Sequence, residues 1–337
     1  MADTKFLIAR LGSLGDIVHT FPAVAALRES FPSAKIVWLT HPRWHELVAS
    51  SGLANEIWNV ETRSLSSIRG VLSRIRLEKF STAIDYQGLW KSAALPFLAR
   101  VPRRIGFSSS AVREAGVPLL YTDRIDVHAA HVAGKNGELS LAAGAAKPVG
   151  SFTLSIQVAA KAAVENLLRE KGIQRYVVLS PGGGWVSKCW PAERYGELAR
   201  RLLEQKGLYS VINYGPGEEG LAERVVAAAG PTRAFPFSES FGELMTVLSG
   251  ADCVVAGDTG PLHLADALGT RVVAIFGPTD PQRNGPYLGQ REAGRAIVLR
   301  AANVASTYKR EDAPHPSLLE VSVDDVFAAI NEARITR

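Results

Sequence analysis

Three stretches of this 337-residue chain carry residue types suited to chemistry, two of them on an anion and one on a bulky polar ligand. One is Gly257-Asp258-Thr259-Gly260-Pro261, with His263 shortly after it. An apolar run ends at Ala256, and Pro261 suits the first turn of a helix that Thr259 could cap. The free N–H groups at a helix start, backed by the helix dipole, hold an anion well. Small residues at Thr259 and Gly260 let a phosphate approach, and His263, one turn in, can add a donor. The same residues also read as an ordinary strand–loop–helix connection, with His263 satisfied in the core.

The second stretch, residues 181–191, runs PGGGWVSKCWP. Its glycines give room for close approach, and Lys188 can serve as a point charge for a phosphate. Its other reading is a surface lysine before a helix. Lys188 is followed by cysteine, so the order GxxxxGK[ST] is missing and ATPase chemistry is disfavoured. The third stretch is Gly12-Ser13-Leu14-Gly15-Asp16. Asp16 heads a helix, where it can cap the backbone or take a proton from a hydroxyl. The stretch is not GxGxxG, and strand KIVWLT is followed by His41 and Pro42 with no acid to hold a ribose. Both points argue against a dinucleotide dehydrogenase. A further loop, 215–219, offers Glu218 or Glu219 to ribose hydroxyls or to a helix's first turn. No HExxH, CxxC or DxD occurs, so no metal site and no cofactor are expected.

These residues need elements to hold them. Short apolar runs at 5–9, 36–39, 57–60, 83–86 and 104–107 alternate with helical patterns at 17–30, 44–50, 65–77 and 89–99. Pro22 either kinks the first helix or marks its true start. Residues 108–149 are less regular. A second alternating set follows: helices at 158–170, 192–205, 218–229, 241–248, 262–268 and 323–333, and strands at 176–180, 209–214, 253–256 and 271–276. Strands alternating with helices give right-handed βαβ units and parallel sheets. The fold class is therefore α/β, two Rossmann-like halves. The boundary falls in the small-residue turn at 145–160, dividing the chain as 1–152 and 153–337. The last helix belongs to the second half or packs back on the first. Ligands of such folds bind outside the carboxyl ends of the strands, so the loops at 11–16, 181–190, 215–219, 257–263 and 277–281 are expected to line one cleft.

Composition narrows the class. The chain is 47% hydrophobic and 21% charged, as a globular protein is, and it has no apolar run of about 18 residues that would span a bilayer. Its two cysteines exclude a disulfide framework, and MADTKFLIAR lacks a signal-peptide pattern, so a reducing cytoplasm is expected. Residues 1–150 hold 18 Lys/Arg against 12 Asp/Glu, whereas 151–337 hold 20 against 21. The basic half would favour an anionic partner; its other reading is solvated surface alone.

Three blocks together resemble the glycosyltransferase family 9 heptosyltransferases, the ADP-heptose:lipopolysaccharide enzymes of the GT-B fold. They are LGSLGDIVHTFPAVAAL (11–27), SKCWPAERYGEL (187–198) and GDTGPLHLADALGTRVVAIFGPTDP (257–281). D-T-G-x-x-H-L followed by G-P-T-D-P is the most specific part. The resemblance implies inverting, metal-independent transfer from a nucleotide-diphosphate sugar to a lipopolysaccharide-core acceptor, with no role for nucleic acid. It implies Asp16 as base and Lys188 as phosphate contact. On the donor side it implies Asp258, Thr259, Gly260 and His263, joined by Gly183, Gly184, Ser187 and Glu218. On the acceptor side it implies Gly12, Ser13, Gly15 and His19. The acceptor, an anionic lipid-linked saccharide, is expected on the first half, with peripheral contact at the inner membrane. The alternatives are a sugar-nucleotide epimerase and a silent nucleotide-sugar binding protein.

Overall fold

The structure, a computed structural model, describes residues 4–230, 233–238, 240–288 and 294–332. The chain divides into two compact units, Met1–Ser155 and Ile156–Arg337. In the first, β1 (Lys5–Ala9), β2 (Lys35–Thr40), β3 (Glu56–Asn59), β4 (Thr82–Asp85), β5 (Arg103–Phe107) and β6 (Asp123–Ile125) form a parallel sheet in the order β3-β2-β1-β4-β5-β6. Its helices are α1 (Leu14–Val18), α2 (Phe21–Ser30), α3 (His45–Ser50), α4 (Leu65–Glu78), α5 (Trp90–Leu98) and α6 (Val132–Ala142).

The second unit repeats the plan. Its strands are β7 (Tyr176–Ser180), β8 (Tyr209–Asn213), β9 (Ala234–Phe237), β10 (Cys253–Gly257), β11 (Val272–Phe276) and β12 (Ala296–Arg300). They lie parallel in the order β12-β11-β10-β7-β8-β9. Its helices are α7 (Val158–Glu170), α8 (Ala192–Lys206), α9 (Glu219–Ala229), α10 (Phe241–Gly250), α11 (Gly260–Ala267), α12 (Pro281–Asn284), α13 (Pro316–Leu319) and α14 (Val323–Glu332). Counted within each unit, both sheets follow the strand order 3-2-1-4-5-6, which reverses between β1 and β4 and between β7 and β10. Crevices for ligands form at such reversals.

Central strands are apolar because both faces are covered: Leu7, Ile8, Val177, Val178, Val254 and Val255 are fully buried. The first unit's core joins Leu7, Val37 and Leu39 of the sheet to Val71 and Ile75 of α4 and Leu95 of α5. The second unit's core includes Val326 and Ile330, so α14 packs within its own unit, against α8, β11 and β12. Residue 333, expected as its last turn, lies outside the described residues.

The expected single helix over 17–30 is two helices. α1 ends at Val18, and α2 begins at Phe21 with Pro22 in its first turn, so Pro22 marks a start. The expectation of irregular structure after 108 is corrected by β6 and α6. α6 carries small residues because it packs closely: a Cβ at Gly137 would overlap the Pro148 carbonyl. Residues 145–155 are not a loose linker. Gly150 N–H bonds to Pro22 O at 2.8 Å, Ser151 N–H to Glu29 Oε1 at 2.7 Å, and Ser155 N–H to Ser50 O at 2.8 Å.

Candidate functional site

Each unit places a carboxylate–cation pair beyond its switch-point strands. In the first unit the chain leaves β1 through Arg10, whose side chain is buried and whose Nη1 donates to the Tyr86 carbonyl after β4. Arg10 Nη2 meets Asp16 Oδ1 at 2.7 Å. Asp16 is in the first turn of α1, and its Oδ2 reaches back to accept from Ser13 N–H at 3.0 Å and Ser13 Oγ at 2.9 Å. The capping reading is thus real, but it uses one oxygen. The carboxylate is hemmed by protein, yet 45% of its side-chain surface stays open. A carboxylate offers about four lone-pair positions, and three donors leave room for another. Burial pushes the Asp16 pKa up. Arg10, the Ser13 donors and the charge of Arg113 outweigh it and hold the group below its ordinary value.

The acceptor-side residues divide. Ser13 is exposed beside Asp16, and Gly15 is buried within α1. Gly12 is glycine because a Cβ there would come within 2.9 Å of Trp44 Nε1. His19 is not on the open side of this loop. It is buried, its ring edge-on to His131 at 5.0 Å, and its carbonyl accepts from Asn136 of α6.

In the second unit the loop after β7 and the loop after β10 meet. Lys188 Nζ lies 2.7 Å from Asp258 Oδ2, and both side chains are 9% exposed. His263 Nε2 stands 3.4 Å from Asp258 Oδ1. The surface-lysine reading of Lys188 is thereby overturned. Burial acts to raise the Asp258 pKa, but His263 and Lys188 together hold it far below the usual carboxylate range. Asp258 therefore turns its negative charge onto its neighbours and positions them. Gly257 allows this closeness, since a Cβ would sit 3.0 Å from the Lys188 carbonyl. Gly183 lies over Thr259: a Cβ on it would be 3.1 Å from Cys189 Sγ and 3.6 Å from Thr259 Cγ2. Gly184 faces open space.

Thr259 occupies the N-cap position of α11 but makes no capping bond; its buried Oγ1 has no partner among the described residues. A helix start leaves its first N–H groups unpaired within the helix, and Pro261 has none to offer. Gly260 and Leu262 supply them here. A buried hydroxyl without a partner is placed to bond a ligand. Glu218 bridges two loops: its Oε2 accepts from Gly215 N–H at 2.8 Å, and a Cβ at Gly182 would overlap its carboxylate. Ser187 is corrected. It is buried, its hydroxyl donates to the Lys309 carbonyl at 3.4 Å, and its own carbonyl accepts from His315 N–H. It ties the loop to the segment before α13.

Sequence reasoning missed three residues. Arg10 was discoverable by asking which cation Asp16 needs. Trp185 was visible as a bulky side chain among glycines. Its ring carries Lys188 Nζ at 4.4 Å and Arg310 Cζ at 5.1 Å, and its buried Nε1–H has no partner among the described residues. Arg310 gave no signal in sequence, because only the fold brings it to this loop.

Residues 68–313 match the family model of glycosyltransferase family 9 (heptosyltransferase). The chain belongs to this family. Among relatives of this glycosyltransferase is lipopolysaccharide heptosyltransferase 1 of Escherichia coli O18:K1:H7, 27% identical over 332 residues, covering 94% of this chain and 100% of the relative. Among solved structures, Escherichia coli ADP-heptose lps heptosyltransferase II superposes with a TM-score of 0.82 at 19% identity, covering 98% of each chain. Escherichia coli heptosyltransferase WaaC with ADP gives 0.77 at 25% identity, covering 98% of this chain and 100% of the other. The GT-B-type pair of Rossmann-like units is therefore common to all three chains.

Proposed function

We propose that this glycosyltransferase moves heptose from ADP-heptose to the core saccharide of a lipopolysaccharide precursor, with inversion and without a metal. It would act in the cytoplasm, on an acceptor presented at the inner membrane. The observation that carries the reading is the buried Lys188–Asp258 pair beside the unpartnered Thr259 hydroxyl at the start of α11, a seat for a diphosphate within the second unit; the open Asp16 carboxylate of the first unit supports it separately. The relatives support the substrate class: one is named for heptose transfer, and another was solved with ADP.

In the reaction, an acceptor hydroxyl attacks the anomeric carbon as the bond from that carbon to the phosphate oxygen breaks. Asp16 accepts the hydroxyl proton. The electron pair leaves with the diphosphate, where Lys188, the Gly260 and Leu262 amides and Thr259 Oγ1 stabilise it. Such preorganised groups lower the barrier by about 2–4 kcal/mol each. His263 completes the seat, Gly183 and Gly184 leave room for phosphate, and Glu218 accepts ribose hydroxyls. Because Arg10 holds down the proton affinity of Asp16, the proton moves as the new bond forms rather than before it.

Nucleotide release from ADP-heptose and UDP-sugar donors, with and without a heptose-free core glycolipid and with EDTA present, tests this reading. The expected result is ADP release that requires the glycolipid and survives EDTA. Release without acceptor would indicate a hydrolase, conversion of the donor to an isomeric nucleotide sugar without acceptor would indicate an epimerase, and thermal protection by ADP with neither would indicate a binding protein.

A further inference from the structure

The basic excess of the first unit is confined to one stretch. Residues 61–104 carry nine Lys/Arg against three acids, whereas the rest of 1–150 carries nine of each. Of those three acids, Asp85 is buried and Glu78 is taken by Lys5 and Lys35; Arg74 and Arg103 pair with Glu56 and Asp123 from outside the stretch, while Arg76, Arg100 and Arg104 have no carboxylate partner among the described residues. The same stretch holds an unusual share of exposed apolar side chains. Among the described residues eleven large ones are exposed, and five of them lie on α4 and α5: Leu65, Leu77, Trp90, Phe97 and Leu98. Leu65 and Leu77 are 71% and 78% exposed.

The two properties meet in a groove of about 820 Å³ lined by Arg76, Phe97, Leu98, Ala99, Arg100 and Arg104. Arg76 donates to the Leu98 carbonyl at 3.0 Å, and the Arg104 guanidinium lies 5.6 Å from the Phe97 ring, so these side chains share one surface. α4 and α5 pack together and run antiparallel to the strands. Their first residues, Leu65 and Trp90, therefore stand at the strand ends that also carry Asp16.

We propose that the outer face of α4 and α5 docks on an anionic phospholipid bilayer. Apolar tips flanked by arginines are the composition of an interfacial element: the tips enter the acyl boundary while the guanidiniums stay among the headgroup phosphates. A protein partner would have to supply carboxylates for Arg76, Arg100 and Arg104, and a free anion would have no use for Phe97 or Leu98. A bilayer satisfies both sets at once.

The test is co-sedimentation of the full chain with phosphatidylcholine vesicles, with and without phosphatidylglycerol. The wild type is expected to bind only the anionic vesicles, with affinity falling as salt rises. Leu98→Glu and Arg100→Glu, both at exposed positions, should each weaken binding by about tenfold. Their thermal midpoints should match the wild type, which reads folding separately. Equal binding to neutral vesicles, no binding to anionic ones, or wild-type binding by both variants overturns the proposal. So does competition by glycerol phosphate with a need for Arg100 but not Leu98, since that describes a free-anion pocket. Vesicle binding is read without donor or acceptor, so its failure leaves the proposed transfer untouched.

Discussion

Asp16 and Asp258 each lie beyond a switch-point strand, and each holds a cation at 2.7 Å. Their surroundings differ. Asp16 keeps 45% of its side chain open, whereas Asp258 and Lys188 keep 9%. An open ion pair is screened by water and contributes little to stability, so its carboxylate is available for chemistry. A buried pair is costly to desolvate, and its members depend on each other. Residue type and partner distance thus do not assign a role. Solvent access separates the two: the first carboxylate is open to a solute, and the second holds a lysine and a histidine in place.

The largest break in this contrast is expected from Lys188→Met. It leaves Asp258 buried with His263 alone, which should cost about 3–5 kcal/mol of stability in the second unit. It should also lower kcat by about 10²–10³-fold through the unmet leaving group. Urea unfolding and steady-state rates measure the two losses separately. A variant with full stability and only weakened donor binding would show that the pair is not interdependent.

Arg10→Met tests the open pair. Removing a buried donor to the Tyr86 carbonyl should cost about 1–3 kcal/mol. The acid limb of kcat/KM should move to higher pH, because Asp16 loses the main charge that holds its proton affinity down. An unmoved limb would detach Asp16 from the observed titration.

Acid stability separates the pairs again. The folded-state pKa of Asp258 is depressed, so its contribution is complete above the ordinary carboxylate value of about 3.9 and is lost as pH falls through the lower folded value. Asp258→Asn should therefore be less stable than the wild type at neutral pH, and the gap should close below about pH 4. A constant gap in thermal midpoint across that window would contradict the assigned shift. The smallest effect is expected from Arg310→Ala, about a two- to fivefold rise in donor KM, as fits a cation stacked on Trp185 at its rim.

The central strands and the loops they feed were legible in sequence because burial on both faces writes continuous apolar runs. Of the four edge strands only β3 was. β6 reads Asp-Arg-Ile, β9 carries Pro236, and β12 is only half-buried along its length. One open side removes the apolar run and tolerates proline. α6 was hidden for another reason: Gly137 suits its close approach to Pro148 and Ser140 its bond to the Ala23 carbonyl of α2, but both weaken any helical pattern. The loops that hold the candidate residues were legible as breaks after the apolar runs. What sequence could not supply was burial, which removed Ser187 and His19 from the open surface, and tertiary proximity, which brought Arg310 to Trp185.

The most direct test of the account is single-turnover transfer by Asp16→Asn beside its affinity for ADP. The account predicts that ADP binding and thermal midpoint stay near wild type while transfer slows by about 10²–10⁴-fold. Near-normal transfer by a folded, nucleotide-binding Asp16→Asn would contradict it.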